Sequence, residues 1–433
     1  MNIGSSDKRY LLVSAVYFFF LLAILLIFGY TPTNDGNAYI EMAEICIREG
    51  QPYPSTSLIK GYPFVWNIGS INLIALSLLL FHSTYPILIL MCLLKASSAF
   101  LLAKIAETLF NKKTACVALL IFITYPNNYG QSTTLLSEIP SIFLALLAVF
   151  LLLKDHKLYV FIFSGFFLFL SNWFRPIALV LIVSFFLYFL LINRSALIRR
   201  FLPMIAGYCL ALLLVGTESY IRTGYFVYKG DSLWFNVCDD AYDGAEIGPH
   251  WNQETFQMGT PRYIENMDEL DCFQCADIWK ERCLAWIMDH KLEWLKKIPY
   301  RVIYMYYNDI DNMSFCLKDK SVAENNFITL PYRNIVREAN NLSAPQWAAL
   351  ACSLYYWLLM ILFLFSSLLL LKRKQWKSLA LPLLIIVIGT LAITLVMHGE
   401  TRFKAPYMPY IIMIAAYSIA CPIKKLLYKH NCS

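Results

Sequence analysis

Eleven stretches of this 433-residue chain are apolar over roughly the length of a membrane crossing, and no other feature limits the possible folds so severely. A bilayer core about 30 Å thick takes a helix of about 20 residues, and within lipid every backbone N–H and C=O must find its partner inside the protein. The runs are 10–29, 64–81, 85–107, 113–126, 134–153, 158–174, 176–192, 203–220, 347–371, 378–397 and 405–421. The remaining composition agrees: 59% of the residues are hydrophobic and only 15% are charged. This is not the surface of a soluble protein. The expected fold class is an all-α polytopic membrane protein.

Basic residues in short loops orient such a chain. The segments 1–9, 104–113, 154–157, 193–200, 372–377 and 422–433 hold 17 Lys and Arg, against Arg48, Lys60, Arg175, Arg402 and Lys404 in the alternate short segments. The first set is expected on the cytoplasmic side. Eleven crossings would then put Lys8 and Arg9 on the opposite side from Lys424 and Lys425, so one run does not cross. The run 64–81 fits best, since Gly61, Tyr62 and Pro63 open it. It also carries Trp66, Asn67, Gly69, Ser70 and Asn72, and has no basic residue at either end. It reads as a helix at the outer interface. About ten transmembrane helices remain, with both termini cytoplasmic. The first run, from Tyr10 to Tyr30, is too long for the core of a signal peptide and is kept as helix 1.

Between 217 and 345 Asp, Glu, Asn, Trp and Tyr replace the Leu and Phe runs, which marks one large external loop domain. The expected organisation is a membrane module over 1–220 (spans 1–7, with a first external loop at 30–84), the external domain over 221–345, and a three-span module over 346–433. Within the external domain, 276–307 has apolar residues at helical spacing, with a break expected at Pro299. Five of the twelve cysteines (Cys238, Cys272, Cys275, Cys283, Cys316) fall in that domain. An oxidising compartment favours one or two structural disulfides there, with the pairing open; the zinc alternative would need Cys283 and His290 beside Cys272 and Cys275. The net charge of +7 is spread over the loops as topology signals, and no nucleic-acid partner is implied. No internal repeat is present, which weakens a transporter reading.

Ionisable residues at the mouth of a helix bundle are functional candidates. Asp35 stands just past the outer end of helix 1, before a short amphipathic helix over 37–48. It reads either as a general base or as the N-cap of that helix, a task Asn34 could share. Glu138 opens the 134–153 span on the same expected side, with Pro140 in its first turn; the alternative role is again capping. In His398–Tyr410, Arg402 and Lys404 are placed to meet a lipid phosphate or to snorkel at the interface, and Arg175 in NWFRPIA invites the same two readings. Lys95 lies near the middle of 85–107 without an obvious partner. The string Asp309-Ile310-Asp311 resembles a metal-binding DxD but reads as a surface loop.

Taken in order, these positions resemble the C-type glycosyltransferases: glycosyltransferase family 39, the aminoarabinose transferases and the protein O-mannosyltransferases. The resembling elements are Pro32, Asp35 and Tyr39 after helix 1, GYPFVWNIG, SEIP with Glu138, NWFRPIAL, GTESYIRTGYF with Arg222, and HGETRF. The family usually has Glu after its Asp, where this chain has Gly36, and its eukaryotic members have Lys where this chain has Gly399. The resemblance implies a GT-C-like fold with interfacial juxtamembrane helices in a cell (inner) membrane. It also implies an inverting transfer, on the periplasmic or external face, of a sugar from a polyprenyl (undecaprenyl) phosphate donor to a lipid, glycan or protein acceptor. Asp35 and Glu138 would be the catalytic carboxylates. Arg402, Arg175, Arg222, His398, Glu400 and Lys404 would bind the donor phosphate and substrate. No cofactor and no obligatory divalent metal are implied. A flippase for lipid-linked sugars, or an O-antigen polymerase or ligase, is the competing reading.

Overall fold

Helix 1 shows what surrounds the protein. In α1 (Ser5–Phe28) the residues Tyr10, Ser14, Tyr17, Leu21 and Leu25 are buried, while the intervening Leu11, Leu12, Val16, Phe19, Leu26 and Ile27 are exposed. One stripe at three- and four-residue spacing meets protein, and the outer face is equally apolar, as lipid requires. The computed structural model describes residues 5–154, 157–243, 245, 257–317 and 342–421. Lys424, Lys425 and the rest of 422–433 lie outside the described residues.

The described chain is helical almost throughout. After α1 come α2 (Asn34–Glu49), α3 (Thr56–Gly61), α4 (Ile68–Phe81), α5 (Tyr85–Leu109), α6 (Lys112–Thr124) and α7 (Asn127–Gly130). Next are α8 (Glu138–Leu153), α9 (Leu158–Phe174), α10 (Ala178–Ile192), α11 (Leu202–Thr223) and α12 (Leu233–Val237), then α13 (Cys272–Asp289), α14 (Lys291–Tyr306) and α15 (Asp311–Leu317). The series closes with α16 (Ala344–Lys372), α17 (Trp376–Thr394) and α18 (Met408–Ala420). Five helices are long and apolar enough to cross a membrane: Ser6–Phe28, Tyr85–Leu109, Leu197–Thr223, Ala344–Lys372 and Trp376–Thr394. A sixth candidate is the pair Asn127–Thr133 and Glu138–Leu153, bent by 116°. The chain is a multi-pass membrane protein by these apolar helices.

Helix contacts follow membrane packing rules. Where α9 crosses α11, a Cβ on Gly165 would lie 1.8 Å from the Met204 carbonyl oxygen and one on Gly207 would lie 2.0 Å from that of Ile162, so only glycine lets the backbones meet. Ser141 and Ser171 each donate to the other's carbonyl between α8 and α9, at 3.1 and 2.8 Å. The short α18 is buried from Met408 to Ser418 and forms the centre against which α6, α16 and α17 pack.

Two ends of the bundle can be told apart. At one, Lys104 near the end of α5 pairs with Asp7 and Glu107, Asn111 reaches Cys421 (3.9 Å), and Arg373 donates to the Cys421 carbonyl (3.2 Å). At the other end lie the close of α1, the openings of α2, α4 and α8, and the α17–α18 connection. The helix break expected at Pro299 falls instead at His290, between α13 and α14. Pro299 sits inside α14 because the carbonyl it deprives of a partner belongs to Leu295, on the exposed side of the helix.

Candidate active site

Asp35 is presented by a turn built from its neighbours. Gly29 ends α1 with φ +70°, and Thr31 N–H donates to the Thr133 carbonyl (2.8 Å), pinning the loop to the break before α8. Thr33, not Asn34 or Asp35, caps α2: its hydroxyl accepts from Gly36 N–H at 3.0 Å. The capping alternative for Asp35 is thereby corrected, because the helix starts one turn earlier than the sequence pattern predicts and a threonine performs the task. Asp35 lies in the first turn of α2, free to point elsewhere.

Glu138 starts α8 immediately beyond the 116° bend. Its Oε1 accepts from Arg175 at 2.5 Å, while its buried Oε2 has no hydrogen-bond partner among the described residues. Arg175 follows the last turn of α9 in extended backbone and is followed by Pro176, which aims its side chain back toward α8. Tyr39, one turn along α2 from Asp35, ties these pieces together. Asn67 at the head of α4 donates through Nδ2 to Tyr39 Oη (2.8 Å) and Ser137 Oγ (3.1 Å). Burial pushes the Tyr39 phenol above its ordinary pKa, and the charges of Asp35 and Glu138 add to that.

The third piece is the connection from α17 to α18. Arg402 donates through Nη1 to Asp35 at 2.8 Å and through Nε to Glu400 at 2.8 Å. Desolvation would lower its pKa, but Glu400, Asp35 and Glu138 outweigh that and hold the guanidinium firmly cationic. The Phe403 ring stands near two guanidiniums, 5.6 Å from Arg175 and 5.9 Å from Arg402. Two carboxylates and two arginines from four separate chain segments thus share one partly exposed site, with Glu400 on its flank.

Behind this site the loop is held by a buried ionic lattice. Asp239 pairs with Arg262 at 2.6 Å and Asp240 with Arg301 at 3.1 Å. His398, buried, has Nδ1 3.8 Å from Asp239, and burial lowers its pKa to about 4 although Asp240 pulls the other way. Gly399 passes so close to α14 that a Cβ would lie 1.9 Å from the Arg301 carbonyl oxygen. This explains why the chain has glycine here and no longer side chain. Lys404 is fully buried, 3.0 Å from Asp309 and donating to the carbonyls of Asn308 (2.6 Å) and Thr401 (2.8 Å).

The Asp309-Ile310-Asp311 string is therefore not the surface loop expected. Asp309 accepts from Tyr125 and pairs with Lys404, and Asp311 accepts from Thr401. Burial lifts the Asp311 pKa to about 6 against the pull of Lys404. The lysine that balances Asp309 arrives from 95 positions along the chain, and the local sequence carries no sign of it. Lys95 donates to Gln131 and lines a small cavity of about 20 Å³ with Tyr125, Asp309 and Arg402. Arg222 stands apart from the Asp35–Arg402 pair: it donates to Glu218 (2.8 Å) and the Pro54 carbonyl (2.6 Å) and borders a largely apolar cavity of about 400 Å³ with Asn72, Trp173 and Phe174. Among the described residues no group of three or more His, Cys, Asp or Glu is placed to hold a metal ion.

The sequence pattern passed over Asn67, Phe403 and the Asp239–Asp240 pair. Two adjacent aspartates are ordinarily solvated, and only Arg262 and Arg301, 23 and 61 positions after Asp239 and Asp240, reveal that these are not.

Residues 70–221 match the family described as Dolichyl-phosphate-mannose-protein mannosyltransferase. The matched segment contains Glu138 and Arg175; Asp35 and Arg402 lie outside it. No curated protein matches the chain. Among solved structures, the Archaeoglobus fulgidus oligosaccharyltransferase in its apo form is similar at 13% identity and a TM-score of 0.53, over 98% of this chain and 51% of that one. The archaeal oligosaccharyltransferase AglB from Archaeoglobus fulgidus, in complex with an inhibitory peptide and a dolichol-phosphate, is similar at 13% identity and a TM-score of 0.52, with the same coverage of both chains. The chain thus spans about half the length of the solved structures it matches. The fold is thus similar to that of an archaeal oligosaccharyltransferase, and about a third of the chain resembles the mannosyltransferase family in sequence.

Proposed function

We propose that this chain moves a sugar from a polyprenyl-phosphate carrier to a hydroxyl of a lipid, glycan or protein acceptor at the external face of a cell membrane. The observation that carries this reading is the Asp35–Arg402 ion pair beside Glu138–Arg175. An inverting displacement needs a base for the acceptor proton and positive charge for the phosphate that leaves. Here Asp35 takes the proton as the acceptor oxygen attacks C1 of the sugar. The C1–O bond to phosphate breaks, and polyprenyl phosphate departs against Arg402 and Arg175. In the resting site Arg402 is shared by two carboxylates. An incoming phosphate draws one donor arm of Arg402 away from Asp35 and leaves that carboxylate free to accept the proton. Glu138 Oε2 offers a fixed acceptor for a substrate hydroxyl. Lys404 and His398 act from behind the site, holding the loop that presents Arg402.

The same contacts support ten crossings. Asn67, at the head of α4, hydrogen-bonds Tyr39 and Ser137 at the site, while Lys104 and Asn111, at the close of α5, meet Asp7 and Cys421 at the opposite end. Only two residues, Ser83 and Thr84, follow the His82 C-cap of α4 before α5 begins. If α5 runs the full depth of the bundle, α4 both starts and ends on the site side and lies at the interface. The basic asymmetry makes that side external, together with 30–84 and the 217–345 segment.

Incubating purified protein with polyprenyl-phosphate sugars and candidate acceptors tests the function. The reading requires release of polyprenyl phosphate in equal amount to glycosylated product, with inversion at C1. Carrier movement between leaflets without any cleavage of the C1–O bond would replace it with the flippase reading.

A further inference from the structure

We infer that Cys238 and Cys283 are joined by a disulfide in the mature protein, and that this bond anchors the carboxylate pair on which the Arg402 loop rests. Cys238 follows the last residue of α12 and Cys283 lies in the middle of α13, and their sulfurs are 3.1 Å apart. Closing that gap to a bond of about 2.05 Å takes a shift of about 1 Å. Both thiols are essentially inaccessible, packed with Val237, Trp279 and Trp294 in a small apolar cluster of their own. Two thiols pressed together in an apolar cluster gain little as weak hydrogen-bonding partners. As a bond they close a loop across 45 positions, in a part of the chain whose core is small.

The position of the pair gives it consequence. Asp239 and Asp240 directly follow Cys238 and bind Arg262 and Arg301, and Arg301 donates to the Thr394 carbonyl (3.0 Å) and backs Gly399. A bond at Cys238 therefore fixes one end of the lattice whose other end is the loop carrying Arg402.

The chemistry balances by thiol–disulfide exchange. The Cys238 thiolate attacks a disulfide oxidant and expels one thiolate; the Cys283 thiolate then displaces the second. The protein loses two protons and two electrons, and the oxidant leaves as two thiols. Because both sulfurs are buried in the folded chain, the exchange takes place before α12 docks on α13. The inference rests on the external placement of 217–345, since a reducing compartment would keep both thiols free.

Protein solubilised into an alkylating buffer, then denatured and mapped without reductant, should yield a cross-linked peptide containing Cys238 and Cys283. A heavy thiol label should add two fewer groups than after reduction, and Cys238→Ala should expose one thiol more than the oxidised wild type. Equal labelling with and without reductant, or a peptide joining Cys283 to Cys272 or Cys275, overturns the proposal. If the thiols are free, treating membranes with diamide in a mildly denaturing buffer that opens the α12–α13 contact, then removing the denaturant, shows which premise failed. Linkage of 238 to 283 on treatment points to the wrong side of the membrane, and no linkage points to the pairing itself. Neither result depends on any transfer activity.

Discussion

Arg402 and Asp35, 367 positions apart, meet through a 2.8 Å hydrogen bond from Nη1 to Oδ2, and each remains about one-fifth exposed. Exposure of that size leaves the pair open to a competitor. A buried pair would be part of the scaffold, whereas this one can exchange a carboxylate for a phosphate when a ligand arrives.

Arg402→Ala is expected to weaken binding of a polyprenyl-phosphate donor by about ten- to a hundredfold, the worth of a charge-assisted hydrogen bond of about 1.5–3 kcal/mol. Turnover should fall with it, because the phosphate gains charge as the glycosidic bond breaks. Arg402→Lys should recover only part of the loss, since an ammonium cannot hold Asp35 or Glu400 and phosphate in the same planar fork. Donor affinity and single-turnover rate, measured for both variants, check this. Full recovery by lysine would reduce Arg402 to an interfacial charge.

Gly399→Ala should destabilise the loop without touching any ligand. The new Cβ would lie 1.9 Å from a backbone oxygen of α14, and overpacking of this kind costs about 1–3 kcal/mol where the backbone can yield. The expected result is a lower melting temperature in detergent together with a lower transfer rate, and Gly399→Lys should be worse. An unchanged melting temperature for both would show that the loop does not press on Arg301.

His398 gives the fold a defined acid sensitivity. Its folded pKa of about 4 lies below the ordinary value of 6.5, so between those pH values the unfolded chain binds more protons than the folded one. Stability therefore rises with pH through that window and is lost as pH falls from about 6.5 toward about 4. His398→Gln, which cannot titrate, should flatten this part of the melting-temperature profile relative to wild type. Parallel profiles over that interval would contradict the burial of a neutral imidazole.

Much of the architecture was legible because lipid demands long apolar runs, and α5, α9 and α16 begin and end within three residues of the expected limits. Asp35, Glu138, Arg175 and Arg402 stood out for the complementary reason, as charges at the ends of such runs. Their pairing was not legible, since nothing in the local sequence says that Asp35 faces Arg402 and Glu138 faces Arg175. The Asp309-Ile310-Asp311 string was misjudged on the same ground: Lys404 neutralises it from far along the chain. The break at His290 escaped because proline is a strong signal, and α14 absorbs Pro299 on an exposed side.

The central claim is that Asp35 takes the acceptor proton in a transfer whose leaving phosphate is held by Arg402. Single-turnover sugar transfer by Asp35→Asn, with polyprenyl-phosphate donor bound to the same occupancy as in wild type, tests it most directly. The substitution keeps the size of the side chain and leaves an oxygen able to accept from Arg402, but removes the base. The account predicts near-normal donor binding and loss of transfer by a factor of about a hundred or more, the usual worth of a positioned general base. Transfer at the wild-type rate would contradict the account and move the search for the base to Glu138.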